Sequence, residues 1–254
     1  MGIVCILTHE LSNEESRALL DLKERSASWD FDIWICDDEI KGQKILSENK
    51  PLIGYESSKY HLSFHYLALS FDGITEDYAR LVYMRAMGIP RIILKTKRYT
   101  IREFSLSDLD ELFKLYEKPG ITDFVEPLFS YDEEKAYQEN YIYYIYDMKE
   151  YGMWLVTDST GNIVGRVGLE DKGEYEKLGL SLGYIIAPEY QRTGAAYETC
   201  SAILDMAVKN GEKRFYASID PRNIPSVKLA TKLGFKPSNN TDGEKETIFT
   251  KIVN

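Results

Sequence analysis

LGLSLGYIIAPEYQRTGAAYETC, residues 178–200, reads as a strand, a tight turn and the opening of a helix, and the other segments take their places around it. Leu178, Leu180, Leu182 and Tyr184 alternate with small or polar residues, which is the period of a strand. Pro188 ends that strand, and Gln191-Arg192-Thr193-Gly194-Ala195-Ala196 leads into a segment with helical character over residues 195–210. The first N–H groups of a helix have no partner within it, and the helix dipole adds partial positive charge at that end. Small residues at Gly194, Ala195 and Ala196 let a large anion approach those amides, glycine relaxes the limits on backbone angles, and Arg192 contributes a full positive charge. Such a turn is a cradle for a pyrophosphate. On its own it is also an ordinary strand-to-helix connection.

Downstream lie Asn223-Ile224-Pro225-Ser226, a helical run over residues 227–233, and Gly234-Phe235. The combination of QRTGAA, N-x-x-S and L-G-F, in this order, resembles the GNAT superfamily of acyl-CoA N-acyltransferases. Within it, the sequence is most similar to the branch that acetylates the N-terminal alanine of ribosomal proteins. The resemblance covers residues 98–254 and leaves out the first part of the chain. It implies an α+β fold, a mixed sheet with helices on both faces, and acetyl-CoA as co-substrate. The turn from Gln191 through Arg192, Thr193, Gly194 and Ala195 to Ala196 would hold the coenzyme pyrophosphate. A central strand that parts from its neighbour would offer the backbone of Tyr184, Ile185 and Ile186 to the pantetheine arm. Asn223 would bind the same arm, and Lys228 would meet coenzyme phosphates, although a solvated helix lysine is an equal reading.

The totals agree with an enzyme of this kind. Of 254 residues, 44% are hydrophobic, enough for full cores. The net charge of −10 argues against a nucleic-acid binder, which needs a basic face, but is compatible with a cationic acceptor. Cys5, Cys36 and Cys200 lie far apart, and neither they nor His9, His61 and His65 have the spacing of a metal site. With no apolar run of membrane-spanning length and no signal peptide, the expectation is a cytoplasmic protein that binds neither membrane nor metal.

Residues 1–96 form a separate small domain in this reading. Strands over residues 2–8, 32–36, 51–55, 66–70 and 91–94 alternate with helices over 13–25 and 74–87, which predicts a small open parallel α/β layer. Ser12 or Asn13 caps the first helix and Thr75 the second. Asp37, Asp38 and Glu39 fall at the carboxyl end of a strand, where such sheets bind ligands. A phospho-acceptor or phosphatase-like site is one reading of them and a solvated loop another. The first strand lacks the acidic pair a haloacid-dehalogenase-type hydrolase needs. Shaping the substrate cleft or forming a homodimer contact are the other roles open to this domain. The joint Lys95–Arg98 is basic and has no Pro/Gly-rich linker, so the two parts are expected to pack together.

Residues 97–254 form the second domain. A strand over 99–104 precedes a helix over 109–117, a loop over 121–130 and a helix over 132–149, whose stripe of Tyr137, Tyr141, Tyr144, Ile145 and Met148 reads as core. A hairpin over 153–157 and 163–169 turns at the polar segment 158–162. After the central strand and its helix come a strand over 214–219, a helix over 224–233 and a final strand over 247–252. In a GNAT-like fold the first two helices and their loop roof the acceptor site, and the loop would act as a lid.

The implied chemistry is attack of an unprotonated amine, at a peptide N terminus or on a small molecule, on the thioester carbonyl. Glu170, at the end of the strand before the central one, is the candidate base; Glu126 in the roof loop is a second, and a surface-turn role is the plain alternative. Many members protonate the departing sulfur with a tyrosine on the helix after the asparagine, where this sequence has Ala230. Ser226 is the candidate replacement, and capping the helix that begins there is its other reading. The missing tyrosine also motivates a second function class, a non-catalytic acyl-CoA sensor.

Overall fold

The apolar run near the start of the chain forms strand β1 (Gly2–Ile6), which lies parallel to β2 (Asp32–Cys36). In β2 the alternation of DIWIC puts Ile33 and Ile35, both fully buried, on one face. The computed structural model describes residues 2–56, 61–149, 151–173, 178–242 and 246–253. The chain divides into two compact units, Met1–Pro90 and Arg91–Asn254.

In the first unit, β1, β2, β3 (Leu52–Tyr55) and β4 (Leu67–Ala68) follow one another in a four-stranded parallel sheet. Helices α1 (Asn13–Ser26), α2 (Glu39–Ser47) and α3 (Glu76–Ala86) connect or flank them. Ser12 caps α1 through a reciprocal box with Glu15, and Thr75 caps α3. Helix α2 is absent from the sequence reading because Gly42 interrupts a weak pattern. The fold needs that glycine: a Cβ there would stand 2.1 Å from the ring of Phe64.

The acidic cluster is occupied with local structure. Asp37 accepts hydrogen bonds from the Thr8 N–H (2.7 Å) and hydroxyl (3.0 Å) and the His9 N–H (3.1 Å), and its carboxylate meets the His9 ring at Nδ1. Asp38 caps α2 by accepting from the Lys41 N–H, and Glu39 accepts from Ser63. Burial pushes the Asp37 carboxyl up, but the N–H groups of His9 and Thr8 outweigh it and hold the group below its ordinary value. A depressed folded pKa stabilises above the unfolded value of about 3.9 and ceases to do so as pH falls through the folded one. Asp37→Asn, which puts an amide among these donors, should destabilise this unit by about 2 kcal/mol at pH 7. Hydrogen exchange across residues 2–8 measures this, and the difference from wild type should shrink below about pH 4.

The second unit is built on an eight-stranded sheet in the order β11-β12-β10-β9-β8-β7-β6-β5. Its strands are β5 (Ile92–Lys95), β6 (Thr100–Arg102), β7 (Met153–Thr157), β8 (Ile163–Glu170), β9 (Leu180–Ile186), β10 (Arg214–Ile219), β11 (Lys236–Asp242) and β12 (Glu246–Ile252). Among the described residues only β9 and β10 pair in parallel, so the sheet is mixed. Helix α4 (Leu109–Tyr116) packs on β8, while α7 (Ala195–Lys209) packs on β8 and β9. Helix α8 (Ile224–Lys232) follows β10.

Three details depart from the sequence reading. The strand near residue 92, expected to close the first layer, is β5 and pairs with β6 of the second sheet. Strand β11 is new: its polar, Pro-containing sequence hides a strand that pairs on one side only, where proline is tolerated. The long helix is broken. Helix α5 (Tyr131–Asn140) passes through a π-helical turn, Tyr141–Ile145, into the short α6 (Tyr146–Met148). There the Tyr146 N–H bonds the Tyr141 carbonyl, five residues back. The inward face therefore moves from Tyr141 to Tyr146, both buried, while Tyr144 and Met148 of the expected stripe are 50% and 75% exposed.

Candidate functional site

Strand β9 is zipped to β8 along its whole length, from Glu170↔Ser181 to Gly165↔Ile186. Toward β10 it pairs only at Phe215↔Leu180 and Tyr216↔Ser181, after which the two strands part. The Ala187 N–H donates to the Val164 carbonyl at 2.8 Å, which fixes the alternation of the ladder. Leu182, Tyr184 and Ile186 consequently turn their main-chain groups toward the opening, and Ile185 turns its own toward β8. Of the run expected from the sequence, Tyr184 and Ile186 turn main-chain groups to this side and Ile185 does not. Gln191 Nε2 already donates to the Ile186 carbonyl at 2.9 Å, tying the turn to the strand end.

The turn itself is held open by backbone geometry. Arg192 has φ +58° and Gly194, immediately before α7, has φ +87°. Only glycine takes such angles without strain, so a side chain at 194 would be disfavoured even though the space there is ample. The first helical bond of α7 runs from Glu198 N–H to Gly194 O, and the amides of residues 195–197 precede it. Arg98, expected at an exposed joint, braces this end. Its Nε lies 2.8 Å from Glu198 Oε2 and its Nη1 donates to the Thr193 carbonyl at 3.1 Å. Thr96 Oγ1 donates to the same glutamate at 2.7 Å.

A cavity of about 410 Å³ opens between these elements. Tyr184, Ile185, Ile186, Gln191, Arg192, Gly194, Ala195, Ala196, Asn223 and Ser226 line it together, from three separate stretches of sequence. Gly120, Ile121, Phe124 and Val125 of the loop after α4 form another part of its wall. Thr193 is not in the lining; its hydroxyl donates back to the Tyr190 carbonyl at 2.6 Å. Neither is Lys228; Lys232, one turn later, does line it, with its Nζ 4.3 Å from the centre of the Tyr197 ring. Helix phase explains this. From Ser226, steps of three reach Leu229 and Lys232, which line the cavity, and pass over Lys228.

The start of α8 assigns separate tasks to Asn223 and Ser226. Asn223 Oδ1 accepts from the Ser226 N–H at 3.2 Å and caps the helix, leaving its amide N–H₂ as donor. Ser226 is not the cap, which frees its hydroxyl, and Tyr184 donates to that oxygen at 2.8 Å. Burial pushes the Tyr184 hydroxyl up to about 12, so it is protonated at neutral pH. Ala230, where the resemblance led one to look for a tyrosine, is buried in the core. A tyrosine does come near, from the strand and not from the helix.

Glu170 lies outside this lining, at the far end of β8, and accepts from the Tyr141 hydroxyl at 2.8 Å. That hydroxyl in turn accepts from the Met153 N–H at 2.8 Å. Along β8, side chains alternate between faces. Glu170 is on the face covered by α4 and α5; the Tyr184 row meets α7 and α8.

A mixed sheet parted at one parallel pair, with a small-residue turn at the mouth of the parting, defines an acyl-CoA N-acyltransferase fold. Residues 98–236 match the family described as acetyltransferase (GNAT) domain, and the chain belongs to that family. It is a GNAT-type acyltransferase that uses acetyl-CoA. The uncharacterized N-acetyltransferase YnaD of Bacillus subtilis (strain 168) is 27% identical over 162 residues, 63% of this chain and 87% of the relative. Among solved structures, the ribosomal-protein-S5-alanine acetyltransferase of Vibrio fischeri superposes with a TM-score of 0.53 at 20% identity, over 63% of this chain and 95% of that one. RimL, a ribosomal L7/L12 α-N-protein acetyltransferase solved with coenzyme A, gives a TM-score of 0.56 at 16% identity, over 64% and 98%. At these identities the structures share the fold.

Proposed function

We propose that the enzyme moves an acetyl group from acetyl-CoA to a primary amine by direct attack, with both substrates bound at once. One observation carries this reading: the parting of β9 from β10 beyond Ser181, which leaves the main-chain groups of Tyr184 and Ile186 facing an open cavity. The amides after Gly194, with Arg192, hold the pyrophosphate, and Lys232 supplies the positive charge first looked for at Lys228. The N–H₂ of Asn223 and the free groups of β9 fix the pantetheine arm. Holding the amine and the thioester in contact supplies much of the rate. Glu170, directly or through water, takes the proton the amine must lose. N–H groups of β9 face the carbonyl oxygen as negative charge builds on it.

The departing sulfur meets Ser226, backed by Tyr184. A tyrosinate with a pKa of about 12 is more basic than a thiolate of about 8.5. The pair therefore donates a hydrogen bond to the thiolate and does not surrender a proton. The acceptor is a peptide N terminus or a small amine. The three cysteines are free thiols, which suits a reducing cytoplasm. The test is thiol release from acetyl-CoA against a panel of amines. Release with at least one, at a rate that depends on that amine, is the expected result. Tight coenzyme A binding without thiol release from any amine would favour the sensor instead.

A further inference from the structure

On β8, Arg166, Gly168 and Glu170 share the face covered by α4 and α5, and across the ladder they stand beside Ile185, Gly183 and Ser181. Two contacts confirm the direction. Arg166 Nη1 reaches the Tyr116 hydroxyl of α4 at 3.5 Å, and Glu170 meets Tyr141. Gly168 and Gly183 oppose each other without side chains in the middle of the row. The chain at the start of β7 lies close beside them: a Cβ added to Gly168 would meet the Gly152 carbonyl oxygen at 2.3 Å, Met153 Sδ at 2.6 Å and Met153 Cα at 2.7 Å, and one added to Gly183 would meet Met153 Sδ at 3.2 Å. The row has a guanidinium at one end and a carboxylate at the other, with Cα atoms about 13 Å apart for four residues of strand.

Arg166 is the anomaly. Its side chain carries five N–H donors and stays charged in a protein, so a buried arginine is normally matched by a carboxylate. Arg166 is only 7% exposed. Among the described residues, its Nε is fully buried without an acceptor, its one hydrogen bond is the long one to Tyr116, and no carboxylate forms an ion pair with it. Tyr137, half exposed above the row, lies within electrostatic reach of both charges: burial and Glu170 raise its hydroxyl, and Arg166 opposes them.

We propose that Arg166 receives a carboxylate carried by the acceptor itself, so that the preferred substrates are primary amines bearing a carboxylate. The inference rests on the acetyl-transfer reading above, in which Glu170 faces the amine. The planar fork of a guanidinium fits a carboxylate in two parallel hydrogen bonds, which Nε and one terminal nitrogen are placed to make. The zwitterion then lies along the β8 row, with its amine toward Glu170 and its carboxylate toward Arg166. Met153, unbranched and adaptable, yields to it.

The experiment is calorimetric titration of the full chain saturated with coenzyme A, so that no transfer occurs. The probes are glycine, 4-aminobutanoate and 6-aminohexanoate, each against its primary amide. The expected result is at least one acid bound about 10-fold or more tightly than its amide, the effect of a charge-assisted hydrogen bond. Arg166→Met should reduce that preference to about twofold or less, and Arg166→Lys should retain part of it, because the charge survives and the fork does not. Unchanged coenzyme A affinity reports that the variants are folded; the wild-type comparison of acid with amide needs no variant at all. Equal binding of acid and amide, no binding of any acid, or a preference that survives Arg166→Met overturns the proposal. Thiol release with uncharged amines as efficient as with acids would overturn it and leave acetyl transfer standing. Acid-selective binding without thiol release would do the reverse.

Discussion

Gly194→Glu should weaken coenzyme A binding by at least about a hundredfold while the chain remains folded. Two terms add. The backbone at position 194 sits at φ +87°, which costs an ordinary residue about 1–2 kcal/mol. A carboxylate about 4 Å from a pyrophosphate charge costs about 4 kcal/mol at an effective dielectric of 20, nearly three decades of affinity. The fold survives because the new Cβ would meet only Arg98 Nη2, at 3.5 Å. Strain alone should lower the melting temperature by about 2–8 °C for a unit of this size. Gly194→Ala separates the terms: it carries the strain without the charge, and because strain shared by the free and bound turn cancels from the affinity, its loss should not exceed about tenfold. Calorimetric titration with coenzyme A measures both. An affinity for Gly194→Glu within threefold of wild type would remove the pyrophosphate from this turn.

Much of this site is legible in the sequence because its requirements are local. A strand that stops at a proline, a glycine with freedom at positive φ and small residues at a helix start all lie within residues 178–200, and the structure brings most of them to one cavity. What stays hidden depends on partners distant in sequence. Ile185 is adjacent to Tyr184 and Ile186, yet only the ladder with β8 shows that its main chain points the other way. Lys232 is distinguished from Lys228 by the phase of α8, which is set by the cap at Asn223. The tyrosine stripe is misread at Tyr137, which is half exposed while Glu134 and Gln138 turn inward, and again beyond residue 141, where one π-helical turn puts the next inward residue five positions on. The link between Tyr184 and Ser226 joins positions 42 apart, and neither residue announces the other. Arg98 reads as a basic joint because its carboxylate, Glu198, comes from a helix a hundred residues on.

Ser226→Ala should lower kcat by about 10- to 100-fold and leave the coenzyme A affinity within about twofold, because the lost donor acts on charge that appears only as the sulfur departs. Tyr184→Phe should cost less, about 10-fold. Its hydroxyl lies 2.8 Å from Ser226 Oγ and acts on the sulfur through that oxygen, which still has its own proton to donate. The decisive quantity is the double variant. If the two side chains form one relay, Tyr184→Phe has nothing to transmit once Ser226 is gone, and the double variant should be no slower than Ser226→Ala alone. Independent roles would instead multiply the two losses. The pH profile gives a second check. With Tyr184 held near 12 by burial, no deprotonation of the pair should cut the rate between pH 6 and 10. Across that range kcat/KM should rise with pH as the acceptor amine loses its proton. A fall in kcat near pH 8 or 9 in the wild type, abolished in Tyr184→Phe, would mean that Tyr184 surrenders its proton, and the hydrogen-bond role assigned to it would have to be abandoned.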